Sequence, residues 1–150
     1  MFGPANYSVL MVDDNAAMRE AIARSLTRRG CSVTTAVSGV DGFEALRTQP
    51  FDVIISDLNM PERGGLWLWR QAVALRPELR GRFVIVASEP FPEPRSMSLL
   101  LESERFLLKP ITLDLLWRQV EDVMRDARIV ATGGGAERRD RPNRSAERAT

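Results

Sequence analysis

Short runs that are apolar or β-branched along most of their length recur through this chain. Each is followed by a stretch whose apolar residues fall at helical spacing. Val53-Ile54-Ile55 is the cleanest of these runs, and a strand apolar at consecutive positions has to be covered on both faces. The strands expected are Ser8–Val12, Ser32–Ala36, residues 52–56, Phe83–Ala87 and Arg105–Leu108. Between them the spacing predicts helices. The first covers residues 16–29, with Met18, Ile22 and Leu26 inward and Gly30 as the stop. The second is capped by Ser38 and runs to Thr48, with Val40, Phe43 and Leu46 or its neighbour Ala45 inward. The third covers residues 66–75 and closes at Arg76-Pro77. The fourth resumes near Arg95, after Pro90, Pro92 and Pro94, and runs to about Glu104. The last starts at Thr112 or its neighbour, with Leu113, Leu116, Val120, Val123 and Ala127 as its core stripe. Strands that alternate with helices in this way make an α/β domain, a parallel sheet with helices on both faces. The pattern fails after Arg128. Residues 1–128 are therefore expected to form the folded domain, and residues 129–150 a disordered, charged tail.

Composition removes whole classes of function. The chain has no histidine, which excludes Ser-His-Asp and Cys-His catalysis and most transition-metal sites. Cys31 is its one cysteine, so no intramolecular disulfide can form and a zinc site is not expected. A net charge of +1 gives no reason to expect nucleic acid or an anionic membrane as partner. Residues 1–7 have no basic region and lead only into a short apolar run, so no secretory signal is expected. No stretch is long enough to span a bilayer. A cytoplasmic setting fits these features. Lys109 is the only lysine among 21 basic residues. Lysine offers a compact ammonium suited to a tight anion pocket, where arginine offers a wide fork.

Ligands of open α/β sheets bind outside the carboxyl ends of the strands. The first polar side chains after the strands are Asp13 and Asp14, Asp57, Ser88 and Lys109. Alone, Asp57 would read more readily as a solvated acid that starts a turn through Pro61 and Gly64-Gly65. Together, three carboxylates converging at one edge repel one another and call for a cation. Oxygen ligands without His or Cys select Mg²⁺. A hydroxyl and one ammonium on the opposite side suit a phosphoryl group, with the central Asp57 as its acceptor.

These residues resemble the receiver domain of two-component response regulators. The resemblance spans about Val9 to Asp126. It rests on the pair Asp13-Asp14, the run from Asp57 through Leu58, Asn59 and Met60 to Pro61 with Gly65 beyond, Ser88, Phe106 and Lys109-Pro110. It implies a flavodoxin-like doubly wound (βα)5 fold and a signalling module that is not an enzyme. It implies that Asp57 takes a phosphoryl group from a phosphohistidine on a sensor histidine kinase or histidine phosphotransfer protein. Mg²⁺ would be held by Asp13, Asp14, Asp57 and the main-chain carbonyl of Asn59. Lys109 and Ser88 would bind phosphoryl oxygens, and Ser88 and Phe106 would act as the switch. The Lys109-Pro110 bond is expected to be cis. Output would pass through the face of the fourth helix, fifth strand and fifth helix to an effector protein or a second copy. No specific DNA binding is expected, because nothing after Arg128 resembles a DNA-binding module.

Three features depart from the pattern. Glu89 follows Ser88 where receivers usually carry a small residue, prolines crowd the start of the fourth helix, and Glu102-Ser103 replaces a small pair before the fifth strand. The first two favour, as an alternative, a pseudo-receiver that binds partners without phosphorylation. An Mg²⁺-dependent phosphohydrolase of the haloacid dehalogenase type also forms an aspartyl phosphate. Its nucleophile, however, follows the first strand in an Asp-x-Asp arrangement that Asp13-Asp14-Asn15 does not supply. Trp67 and Trp69, two apart on a helix, cannot share a face, so one is expected in the core and the other partly exposed. The run Leu99-Leu100-Leu101, with Trp117 and Met124, reads either as packing or as a docking surface.

Overall fold

In a computed structural model of the chain, the described residues are 6–61, 63–89, 91–92 and 94–140, with side chains described as far as Ile129. Five strands, β1 (Ser8–Val12), β2 (Ser32–Ala36), β3 (Val53–Asp57), β4 (Phe83–Ala87) and β5 (Arg105–Leu108), form one parallel sheet. Their order is β2-β1-β3-β4-β5. That order reverses direction between β1 and β3, and such a reversal opens a crevice at the carboxyl edge. The fold is the flavodoxin-like doubly wound one.

The helices are α1 (Ala16–Arg28), α2 (Gly39–Thr48), α3 (Gly65–Leu75), α4 (Pro94–Ser103) and α5 (Leu113–Asp140), with a 3-10 turn at Pro77–Leu79. Side chains alternate across a strand, and the sheet divides its core accordingly. Leu10, Val12, Ile54, Phe83 and Ile85 pack with Leu46, Leu68, Trp69, Met97 and Leu100 on the face of α2, α3 and α4. Val9, Met11, Val53, Ile55, Val84 and Val86 pack with Ile22, Leu26, Leu116, Val120 and Val123 beneath α1 and α5. Trp69 lies in the core while Trp67 is half-buried, as two aromatic residues two apart on a helix must divide.

Local chemistry sets the ends of the elements. The Asn15 side chain accepts from the Met18 N–H (2.9 Å), Ser38 Oγ from the Asp41 N–H (3.1 Å) and Thr112 Oγ1 from the Leu115 N–H (3.0 Å). Each removes one of the donors that a helix start leaves without a partner. Pro94 opens α4, where its missing N–H costs nothing.

Three expectations are corrected. Val40 is 47% exposed. The inward face of α2 is its glycine face, because a Cβ on Gly42 would meet Val12 Cγ2 at 3.0 Å. The backbone itself lies against the sheet there, and Val40 is turned out. Leu113 is exposed, and the buried stripe of α5 begins at Leu116. Order does not fail after Arg128, because α5 continues to Asp140. A formed helix extends at one hydrogen bond per residue fixed, and Ile129, Val130, Ala131 and Ala136 all accept helical geometry. Three glycines, each about 1 kcal/mol worse than Ala, do not end it. The rest of the expected tail, residues 141–150, lies outside the described residues.

Glu104 is buried between α4 and β5, and its carboxylate accepts from the Gly81 N–H (2.7 Å), the Phe83 N–H (3.0 Å) and Ser103 Oγ (2.6 Å). It ties the turn before β4 to the end of α4. Glu104→Ala leaves these donors without partners and is expected to lower stability by about 1–3 kcal/mol, read by urea unfolding. A change within 0.5 kcal/mol would show the donors to be satisfied otherwise.

Candidate functional site

The ends of β1 and β3 place three carboxylates together. Asp13 follows β1 and is fully buried, Asp14 beside it is exposed, and Asp57 ends β3 at 3% exposure. Each of the three offers a carboxylate oxygen, and these atoms all lie within 4.8 Å of one another. Asp13 is fixed on both sides, its Oδ1 accepting from the Asn15 N–H (2.8 Å) and its main-chain carbonyl from Arg19 Nη1 (2.8 Å). Asp57 Oδ1 accepts from the Asn59 N–H at 3.3 Å and lies 3.5 Å from Lys109 Nζ.

Lys109 follows β5, and its own N–H donates to the Ala87 carbonyl at 2.8 Å, which extends the β4–β5 ladder by one rung. The Lys109-Pro110 bond is cis. Ser88, half-buried, follows β4, and its N–H donates to Asn59 Oδ1 at 2.9 Å. Phe106 is half-buried on β5 against the α2–α4 side of the core, with its ring edge-on to Phe91 (centroids 6.1 Å apart, 69° between planes). Five of the residues singled out from the sequence thus meet at one carboxyl edge, with Phe106 on the neighbouring strand.

Gly64 and Gly65 shape the loop between β3 and α3. A Cβ on Gly64 would stand 2.6 Å from the Leu58 carbonyl oxygen, and one on Gly65 2.7 Å from that of Asp57. Only glycine lets α3 start this close to the strand that delivers Asp57. Gly39 makes a similar approach from α2, its N–H donating to the Arg63 carbonyl at 3.0 Å.

Burial pushes the Asp13 and Asp57 carboxyls above the usual carboxylate range. For Asp57 the neighbouring charge of Asp13 adds to the effect, against the Asn59 N–H and Lys109. Two buried acids that resist ionisation side by side, with a third at the rim and no nitrogen or sulfur ligand, fit a hard divalent cation. The cluster of Asp13, Asp14 and Asp57 could bind Mg²⁺. Sequence reasoning missed two contacts. Arg19 is a turn beyond Asn15 and gave only its helical position as a signal. The Asn59 side chain reaches a residue 29 positions away, which no local pattern reveals.

Comparison with known proteins accords with this geometry. The family described as the response regulator receiver domain matches residues 9–121. The transcriptional regulatory protein GlrR of Escherichia coli is 31% identical over 117 residues, covering 77% of this chain but 26% of GlrR. The chain therefore spans about a quarter of that relative's length. A chemotaxis protein CheY homolog of Campylobacter jejuni is 31% identical over 118 residues, 77% of this chain and 91% of the homolog. The crystal structure of a response regulator receiver protein from Pseudomonas putida superposes with a TM-score of 0.69 at 32% identity, covering 80% of this chain and 99% of that one. Receiver domains are in general signalling modules, and among the described residues no helix is long and apolar enough to cross a membrane. By fold, by site and by sequence, the chain belongs to the response regulator receiver domain family of two-component systems.

Proposed function

We propose that the chain is a phosphoacceptor in a two-component phosphorelay, with Asp57 as the residue that carries the phosphoryl group. The observation that supports this most is the setting of Asp57, a buried carboxylate 3.5 Å from the chain's one lysine and beside Asp13 and Asp14. The donor is a phosphohistidine on a sensor histidine kinase or histidine phosphotransfer protein. An Asp57 carboxylate oxygen attacks phosphorus. The new O–P bond forms as the P–N bond breaks, and the bonding pair returns to the imidazole nitrogen of the donor. Asp13, Asp14, Asp57 and the main-chain carbonyl of Asn59 would hold Mg²⁺, which when bound neutralises the clustered negative charge. Lys109 pairs with one phosphoryl oxygen, and the Ser88 hydroxyl donates to another. Positioning and charge balance supply most of the catalysis in phosphoryl transfer, and these are what the residues provide.

As Ser88 turns to the phosphoryl group, Phe106 follows. The signal leaves through the α4–β5–α5 face, where Leu99 (60% exposed), Leu101 and Leu108 already offer apolar surface to an effector protein or a second copy. The chain acts in the cytoplasm, where ATP-dependent histidine phosphorylation supplies the donor, and as a signalling module with no small-molecule substrate to turn over. Incubation with acetyl phosphate and Mg²⁺, read as intact mass, tests the proposal. Wild type is expected to gain one phosphoryl group and Asp57→Asn none. Equal mass gain in both would remove Asp57 from the role, and no gain in wild type would leave a receiver that works without phosphorylation.

A further inference from the structure

The end of the β3–β4 ladder is finished by a side chain. In register, Asp57 lies beside Val86, and the Leu58 N–H donates to the Val86 carbonyl at 2.8 Å. The next rung of a parallel ladder would run from the Ser88 N–H to the Leu58 carbonyl. That carbonyl accepts instead from the Gly65 N–H at 3.2 Å, because the chain has turned into the loop before α3. Asn59 Oδ1 takes its place and accepts the Ser88 N–H at 2.9 Å. Beyond Ser88 the sequence is Glu89-Pro90-Phe91-Pro92, and prolines have no N–H with which to hold a ladder. Asn59 therefore ties the residue that offers the hydroxyl to the loop that follows the acceptor. Its own N–H meanwhile donates to Asp57 Oδ1 at 3.3 Å.

We propose that the Asn59 side chain is a positioning residue, a latch that holds Ser88 in its resting place and opposes movement of the Ser88 hydroxyl toward a phosphoryl group on Asp57. This rests on the phosphoacceptor reading of the site. The bond uses the Ser88 N–H, so it restrains the backbone that carries the hydroxyl and not the hydroxyl itself. A hydrogen bond made only in the resting arrangement biases the equilibrium toward that arrangement by its net worth. Removing it favours the engaged state by roughly two- to tenfold.

Two measurements on Asn59→Ala test the latch. In metal-free protein, amide hydrogen exchange at Ser88 is expected to quicken about tenfold, while Asn59→Asp, which keeps an acceptor of the same reach, retains slow exchange. With Mg²⁺ at saturation, the beryllofluoride concentration that half-saturates the Asn59→Ala protein, followed by the Phe106 ring resonances, is expected to fall roughly two- to tenfold. A merely structural role for Asn59 would weaken beryllofluoride binding instead. Unchanged Ser88 exchange, or a half-saturation point that stays or rises, overturns the latch. If wild type takes up no beryllofluoride while Ser88 exchange still quickens in Asn59→Ala, the hydrogen bond stands as a restraint on Ser88, the phosphoacceptor reading falls, and the latch loses its role with it.

Discussion

Asp57→Asn protein freed of divalent cations is expected to unfold a few degrees above wild type at neutral pH, on the order of 1 kcal/mol, although the same change abolishes its use as an acceptor. The sign follows from what surrounds the carboxylate. Burial first and the Asp13 charge second push the Asp57 carboxyl up, and the Asn59 N–H and Lys109 together fall short of offsetting them. Asparagine keeps an oxygen for the Asn59 N–H and removes the repulsion. Lys109 retains Asp13 as a nearby opposite charge. Because the Asp13 and Asp57 carboxyls are raised in the folded state, their protons are held more tightly there than in the unfolded chain. The stability that these two groups contribute to metal-free wild type is therefore fully present below the unfolded carboxylate range and is lost as pH rises through the raised folded values. Mg²⁺ should recover that loss by binding only the folded state, so its effect on the melting temperature grows with pH and is small in Asp57→Asn. Melting curves at several pH values, with Mg²⁺ and with chelator, give both results. A metal-free Asp57→Asn protein that melts below wild type would mean that the Lys109 pairing outweighs repulsion and burial.

Gly65→Ala is expected to cost about 1–3 kcal/mol and to slow phosphorylation by about tenfold or more. The new Cβ would stand 2.7 Å from the Asp57 carbonyl oxygen and 3.0 Å from Leu58 Cα. Both neighbours are backbone, so no flexible side chain can yield, and relief requires α3 to move away from the end of β3. That movement strains the Gly65 N–H bond to the Leu58 carbonyl and shifts the loop holding Asn59. The site is affected through geometry, with every chemical group still present. Urea unfolding measures the first effect, and the rate of mass gain from acetyl phosphate the second. A wild-type phosphorylation rate in Gly65→Ala would show that the loop absorbs the methyl group without moving the acceptor.

Much of this fold was legible because the three central strands are short runs whose side chains nearly all need cover. Val53-Ile54-Ile55 cannot sit at a surface, and the same holds for Phe83–Ala87, so the doubly covered sheet followed from the pattern. The positions of Asp13, Asp14, Asp57, Ser88 and Lys109 at one edge followed from strand direction alone. What was not legible depended on backbone proximity or on contacts across the chain. Val40 fits the helical period of α2, yet Gly42 brings the backbone to the sheet, Gly39 brings it against the Arg63 backbone, and Val40 is turned out. Glu104 reads as a surface charge until the donors at Gly81 and Phe83 come into view. The Asn59–Ser88 rung exists only once two loops have been brought side by side. The length of α5 was missed because a polar, glycine-bearing segment has no apolar stripe to announce it.

The central claim is that Asp57 accepts the phosphoryl group, and the most direct measurement locates that group on the chain. Wild-type protein treated with acetyl phosphate and Mg²⁺ is reduced with borohydride, which converts an aspartyl phosphate to homoserine, and then mapped by peptide mass spectrometry. Homoserine at position 57 is the predicted result. Homoserine at position 13 or 14 with Asp57 intact would contradict the account.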